Sequence, residues 1–137
     1  MVLIACVDER MGMMFNNRRQ SSDSVVRERI LQLSVKASLW MNSYSEDLFE
    51  DYTASHLNVS EMFMSEAENE DFCFAENPDD IYGYENEIDM IILYNWNKAY
   101  PCDKEFPIDL NNWVKVETTE FEGNSHKVIT EEIYVRG

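Results

Sequence analysis

Glycine and proline are scarce in this chain, with four and three copies among 137 residues. Turns must therefore be made largely by Asn, Asp and Ser, whose side chains hydrogen-bond to the nearby backbone. No internal repeat and no low-complexity linker is present. The length is that of one domain, so we expect residues 1–137 to form a single α/β unit.

Positive charge is missing from the middle of the chain. No Lys or Arg occurs from residue 37 to residue 97, and the formal net charge of the whole chain is −16. A field of this sign repels phosphate backbones and anionic lipid, so we expect neither a nucleic-acid nor a membrane partner. Six of the eleven basic residues lie between Arg10 and Lys36.

Cysteine and histidine are also few. The three cysteines are Cys6, Cys73 and Cys102, and the first two lie in apolar runs typical of buried thiols rather than disulfides. The two histidines show no metal-binding spacing, so we expect no metal. No segment reaches transmembrane length and no leader-like segment opens the chain, which favours the cytoplasm. The sequence is compatible with a homo-oligomer as well as with a monomer.

Two short apolar runs predict strands that are buried on both faces. One is Val2–Val7 and the other covers residues 88–94, and such runs are typical of a central parallel sheet. Apolar residues at helical spacing predict a helix from Asp23 to about Leu39. Shorter helices are predicted at 46–52 and 62–68, and shorter strands at 56–59 and 71–75.

The last third of the chain alternates apolar and polar residues on both sides of Glu122-Gly123-Asn124-Ser125. This pattern predicts an antiparallel hairpin. The alternation of strands and helices before it predicts an α/β fold with three layers. We therefore expect a mixed, mostly parallel sheet that is flanked by helices and ends in the hairpin.

Asp23 stands at the predicted start of the long helix. One interpretation is a pocket acid that hydrogen-bonds a ligand or acts in catalysis. The other is a first-turn or N-cap acid stabilised by the helix dipole. The neighbouring arginines Arg18, Arg19, Arg27 and Arg29 have two interpretations as well. They suit an anionic ligand, or they form a solvated face that pairs with the acidic middle.

An aromatic group follows the second buried strand. Tyr94, Trp96 and Tyr100 lie close together in the sequence, at the carboxyl end of a predicted strand. Ligand sites in α/β sheets lie at such ends, and Trp and Tyr suit a flat ligand or a partner surface. The alternative is a loop that packs its own rings onto the sheet. The sequence favours neither.

The two ends of the chain share spaced residues with a known enzyme family. Residues 103–107 read Asp-Lys-Glu-Phe-Pro, and Trp113 and the closing hairpin follow. The matching residues at the N-terminal end are Ile4, Ala5, Asp8, Gly12, Asn16 and Asp23. Together they resemble the dihydrofolate reductase family. The resemblance implies a dihydrofolate reductase-like fold, with Ile4, Ala5 and Asp23 at a ligand pocket.

The departures from that family concern its cofactor. The family has paired glycines where residues 74–77 read Phe-Ala-Glu-Asn, and a side chain there blocks the approach of a nicotinamide cofactor. Glu76 adds repulsion of about 1 kcal/mol in water and about 4 kcal/mol in a partly screened site. Arg27 stands where the family often has an aromatic residue against the pterin ring. These departures favour a related scaffold that has lost nicotinamide chemistry, so we expect no cofactor.

Two functions remain for such a scaffold. The first is a non-enzymatic module that binds a small ligand or a protein partner through Asp23, Arg27 and the loop with Tyr94, Trp96 and Tyr100. The second is a divergent enzyme that uses Asp23 as its acid or base. That enzyme is either a reductase with a non-standard cofactor or a hydrolase.

Overall fold

The computed structural model describes all residues from Met1 to Gly137. The strands are β1 (Val2–Val7), β2 (Gly12–Phe15), β3 (Arg18–Arg19), β4 (Leu39–Met41), β5 (Leu57–Val59), β6 (Phe72–Phe74), β7 (Met90–Asn95), β8 (Lys104–Glu105), β9 (Trp113–Phe121) and β10 (Ile129–Arg136). The α-helices are α1 (Ser24–Leu33), α2 (Ser43–Glu46) and α3 (Phe63–Glu66). Single 3₁₀ turns cover Asp47–Phe49, Pro78–Asp80, Glu85–Glu87 and Leu110–Asn112.

Seven strands form the main sheet, in the order β5-β4-β6-β1-β7-β10-β9. The first five run parallel to one another. Strand β10 lies antiparallel to both β7 and β9, so the C-terminal hairpin closes one edge of the sheet. The predicted fold class, a mixed and mostly parallel sheet with a terminal hairpin, is confirmed.

The central strand β1 is buried on both faces, as its unbroken apolar sequence predicts. Ile4 belongs to a core cluster that includes Val26 and Ile30 of α1. Leu3 and Ala5 face the opposite side, where a second cluster draws on β2, α3 and the loops near Ile81 and Phe106. The two clusters place packed layers on both faces of the sheet.

Helix α1 is shorter than the sequence predicts. It ends at Leu33, where the Ser34 hydroxyl donates to the Ile30 carbonyl oxygen at 2.8 Å. Leu39 was expected at the end of this helix, but it lies in β4 and pairs with Leu57 and Phe72. The prediction was wrong there because an apolar residue that continues a helical spacing also suits a buried strand.

A second, three-stranded sheet has the order β3-β2-β8. None of the strands predicted from the sequence covers β2, β3 or β8. Gly12 pairs with Glu105 across this sheet. A strand of two to four residues that pairs with a distant segment shows no alternation of apolar and polar residues in its own sequence.

None of the helices has the length and hydropathy that crossing a membrane requires.

Candidate functional site

The carboxyl ends of β1 and β7 lie side by side, because the two strands pair in parallel from Val2 to Val7. Asp8 follows β1, and Trp96 follows β7 and donates its backbone N–H to the Val7 carbonyl oxygen at 3.0 Å. This edge of the sheet is where α/β proteins commonly bind ligands. The start of α1 and the loop of the C-terminal hairpin both reach it.

Asp23 is the N-cap of α1, and it also binds the hairpin loop. Its carboxylate accepts the backbone N–H of Val25 at 2.9 Å, of Asn124 at 2.9 Å and of Ser125 at 2.8 Å. The ring nitrogen Nδ1 of His126 lies 3.0 Å from Asp23 Oδ2. Asp23 therefore combines its predicted helix-start position with a second role that the local sequence did not indicate.

The hairpin loop can approach Asp23 because residue 123 is glycine. A Cβ added to Gly123 would lie 2.6 Å from Asp23 Oδ2 and 2.7 Å from Ile129 Cδ1. Real Cβ atoms do not approach other atoms that closely, so a side chain here would push the loop away. With the loop in place, Asp23 is 3% exposed.

Asp23 is held as a carboxylate. Burial alone would raise its pKa, but the hydrogen bonds from Asn124, His126, Ser125 and Val25 outweigh burial and hold the pKa of Asp23 well below its usual range. A carboxylate with this many donors carries no proton that it can give to a ligand. Its chemistry is to orient and stabilise the imidazole of His126.

His126 links Asp23 to two hydroxyl groups. Its Nε2 atom lies 2.9 Å from Ser21 Oγ and 3.2 Å from the Tyr100 hydroxyl oxygen. The indole of Trp96 stacks on the imidazole with the ring centroids 4.5 Å apart. His126 is 5% exposed, and its ring is held by Asp23 and Trp96 while Nε2 faces the two hydroxyls.

Asp8 fastens the two loops that flank these hydroxyls. Its Oδ2 atom accepts the Gln20 side-chain amide at 3.0 Å and the Tyr100 backbone N–H at 3.2 Å. Its Oδ1 atom accepts the backbone N–H groups of Arg10 and Gly12 at 2.9 and 2.8 Å. Burial raises the pKa of Asp8, but these bonds more than offset burial and lower the pKa below its ordinary value.

An open cavity of about 470 Å³ adjoins this network. Gln20 and Tyr100 line it on the side of His126, and Phe15, Asn16, Arg18, Arg19 and Pro101 complete its wall. Arg18 is exposed and forms no ion pair. Its guanidinium is therefore available to an anion.

The other three arginines are already engaged. Arg19 Nε lies 2.7 Å from Glu76 Oε2, and Arg29 Nη2 lies 3.2 Å from Glu131 Oε2. Arg27 lies over the ring of Tyr52, with its Nε atom buried and without a hydrogen-bond partner. The four arginines that are neighbours in the sequence therefore have different partners in the structure, and Arg18 is the one at the cavity without an ion pair.

The remaining predicted site residues belong to the core beneath the network. Ile4, Ala5 and Tyr94 are fully buried, and the Tyr94 hydroxyl donates to Glu131 Oε2 at 2.7 Å. Trp96 and Tyr100 do reach the network, through their contacts with His126. The aromatic loop therefore packs part of itself onto the sheet, while Tyr100 lines the cavity.

Three members of the network were missed by the sequence interpretation: Ser21, His126 and Asp8 as a loop anchor. His126 lies 103 positions after Asp23 in the chain, so no spacing links the two. The one feature of the sequence that could have indicated His126 is Gly123, because it marks a tight turn three residues before this histidine. No cluster of three or more metal-binding side chains occurs.

Residues 75 and 76, where the resemblance implies paired glycines, include a buried charge. Ala75 and Glu76 are both buried there, and Glu76 accepts the Ser45 hydroxyl at 2.8 Å in addition to its bonds with Arg19. A buried, ion-paired carboxylate at residue 76 does not suit the anionic phosphates of a nicotinamide cofactor.

No protein family matches the sequence, and no curated protein matches it. Among solved structures, the chain is similar to dihydrofolate reductase from Enterococcus faecalis, complexed with NADP(H) and RAB-propyl. The TM-score is 0.71 at 13% sequence identity, and the match covers 99% of this chain and 95% of that one. The chain therefore has a dihydrofolate reductase-like fold, as the resemblance at its two ends implies.

Proposed function

We propose that this chain is a non-enzymatic binding module on a dihydrofolate reductase-like scaffold, and that its ligand is a small anion with a flat apolar body. The observation that carries this proposal is the cavity beside Tyr100, where Arg18 has no ion pair in a chain of net charge −16. The cavity volume of about 470 Å³ is within the range of small-molecule sites.

The chemistry of the wall supports this class of ligand. Phe15, Tyr100 and Pro101 offer apolar surface, and the Arg18 guanidinium offers a planar pair of donors that suits a carboxylate. Gln20 adds a polar group whose amide nitrogen is fixed by Asp8 and by the Pro101 carbonyl oxygen. A single free cation beside apolar rings favours one aromatic carboxylate rather than an extended polyanion.

Calorimetric titration with benzoate, an aromatic monocarboxylate, tests the proposal. We expect Arg18→Gln to weaken binding about tenfold or more, because a charge-assisted hydrogen bond is lost. Lys36→Gln is the matched control, since it removes the same charge beside Asp71, at the opposite edge of the sheet. Equal affinities for the two variants, or no heat from benzoate at millimolar concentration, would overturn the proposal.

The proposed ligand is not a nicotinamide cofactor. The Enterococcus faecalis protein is complexed with NADP(H), whereas in this chain Glu76 and the absence of Lys and Arg from 37 to 97 oppose a dinucleotide phosphate. Tryptophan fluorescence titrated with NADPH and with folate checks this inference. Quenching by micromolar NADPH would contradict it.

The proposal also covers the cellular compartment of the protein and its macromolecular partners. All three cysteines are free, and Cys102 is exposed. An exposed free thiol persists best in a reducing compartment, which supports the cytoplasm. The net charge of −16 continues to oppose nucleic-acid and membrane partners, and a homo-oligomer stays open.

A divergent enzyme is the second candidate, and the contact between Asp23 and His126 favours it. Asp23 as a direct acid or base stays a prediction. Because its oxygens are occupied by N–H donors, the geometry favours a role in which Asp23 acts through the imidazole. Of the two enzyme types, the hydrolase needs no cofactor and so agrees better with the side chains at 75 and 76.

A further inference from the structure

We propose that Ser21, His126 and Asp23 form a nucleophile–base–acid triad that cleaves small carboxylic esters entering the cavity beside Tyr100. The contacts run in line: Asp23 Oδ2 to His126 Nδ1 at 3.0 Å, and His126 Nε2 to Ser21 Oγ at 2.9 Å. Both distances lie within the range that nucleophile, base and orienting acid require. The triad deepens the second candidate of the proposed function, the hydrolase, and is an alternative to the non-enzymatic module. It rests on the Asp23–His126 contact and does not depend on Arg18.

The hydrogen-bond partners assign the protons of the network. An ionised Asp23 can only accept, so the Nδ1 atom of His126 carries the hydrogen that it donates to the carboxylate. With the hydrogen on Nδ1, the Nε2 atom of an imidazole has a lone pair that can accept from a hydroxyl donor. Ser21 is the nearer donor at 2.9 Å, and Tyr100 is the other at 3.2 Å.

The base is rigid while the nucleophile is accessible. His126 is held by Asp23 and by the stacked ring of Trp96, and it is 5% exposed. Ser21 is partly exposed and follows Gln20, a residue of the cavity wall. A fixed imidazole next to a reachable hydroxyl is the arrangement that general-base activation of a serine needs.

Donors for a developing oxyanion are present beside the nucleophile. The backbone N–H groups of Ser21 and Ser22 donate to no acceptor within the protein. In a loop this close to a helix start, such groups are free to bind negative charge.

The reaction balances with water as the only co-reactant. Ser21 Oγ attacks the ester carbonyl carbon while His126 Nε2 takes the hydroxyl proton, and the bond to the alcohol oxygen breaks as that oxygen receives the proton from Nε2. Water then repeats the sequence on the acyl-serine, which releases the carboxylic acid and restores the Ser21 hydroxyl.

The test is covalent labelling with an alkyl fluorophosphonate, read by mass spectrometry of the intact chain and of its peptides. Attack by Ser21 on phosphorus expels fluoride and leaves one phosphonyl group on the chain. We expect labelling of the wild-type protein at Ser21 and none in Ser21→Ala. Ser22→Ala is the matched control and should be labelled normally, because the Ser22 side chain forms no hydrogen bond.

A variant of the proposed base, His126, tests whether the network acts in catalysis or only stabilises the fold. His126→Gln should slow labelling about 100-fold or more, since general-base assistance is lost. Hydrolysis of 4-nitrophenyl acetate should disappear in Ser21→Ala and persist in Ser22→Ala, and this comparison decides the matter even if His126→Gln does not fold. An unlabelled wild-type chain, labelling of Ser21 and Ser22 alike, or undiminished hydrolysis by Ser21→Ala would overturn the triad.

Discussion

At the scale of single residues, Asp23 connects two distant parts of the chain. Its carboxylate caps α1 through Val25 and binds the hairpin loop through Asn124, Ser125 and His126. An acid with these contacts contributes to stability only while it is ionised. The same contacts set the position of the histidine on which the proposed chemistry depends.

The stability of the protein should therefore depend on pH through Asp23. Because the folded-state pKa of Asp23 is lowered, its contribution is fully present above the unfolded pKa of about 4 and is lost as the pH falls towards the folded value. In chemical denaturation, Asp23→Asn should flatten the fall in unfolding free energy below about pH 5. Asp51→Asn, an exposed site without a hydrogen bond, should retain the wild-type slope.

Gly123 should tolerate no side chain. In Gly123→Ala the new Cβ meets the side chains of Asp23 and Ile129 within 2.7 Å, so the loop or these side chains must shift, which strains the hydrogen bonds of Asp23. We expect a loss of about 1–3 kcal/mol in unfolding free energy, measured by urea denaturation. Asn124→Ala, whose exposed side chain forms no hydrogen bond, should cost less than about 0.5 kcal/mol. Similar losses for both variants would contradict the close-contact argument.

At the scale of secondary-structure elements, β7, β10 and α1 are joined by one buried polar group. Glu131 of β10 lies opposite Tyr94 of β7 and accepts its hydroxyl at 2.7 Å, while Arg29 of α1 approaches the same carboxylate at 3.2 Å. Burial and then the neighbouring Glu131 raise the pKa of Tyr94 well above its ordinary range, so Tyr94 stays a donor.

Removal of that donor should loosen the junction between the parallel and antiparallel parts of the sheet. Tyr94→Phe leaves Glu131 buried with Arg29 alone, and we expect a loss of about 1–3 kcal/mol in unfolding free energy. Tyr52→Phe is the control, because the Tyr52 hydroxyl forms no hydrogen bond and should cost little. Thermal or urea unfolding of both variants measures the difference, and equal values would show that the Tyr94 bond contributes nothing.

Elements with a local signal were predictable from the sequence, and those defined by distant contacts were not. The apolar runs of β1 and β7 and the alternation around Gly123 indicate their own structure. The strand that contains Leu39 and the small sheet around Gly12 depend on partners far along the chain. The site divides in the same way: Asp23 was predicted from its helix start, whereas His126 joins it only through the fold.

At the scale of the whole molecule, negative charge dominates. Of the many acids between 37 and 97, only Glu76 and Asp79 pair with side-chain cations, Arg19 and Lys104. Repulsion among the remainder opposes the compact state. The fold must therefore withstand a self-repulsion that the two apolar clusters offset.

Salt should stabilise this protein near neutral pH. Screening shortens the range of the repulsion to about 10 Å at 0.1 M ionic strength, and to about 3 Å at 1 M. We expect the melting temperature to rise by a few degrees between low salt and molar sodium chloride. The same series near the sequence pI of 4.3 is the control, where the rise should vanish. A melting temperature that falls with salt at neutral pH would contradict this account.

The central place of β1 has a consequence for how the protein is made. Its two neighbours, β6 and β7, begin at Phe72 and Met90, so the ribosome must add a long stretch of chain before β1 meets either one. At ordinary synthesis rates the delay is roughly 5–15 seconds. During that interval Val2–Val7 is an unpaired apolar segment, which is the form that chaperones bind and that neighbouring nascent chains can trap.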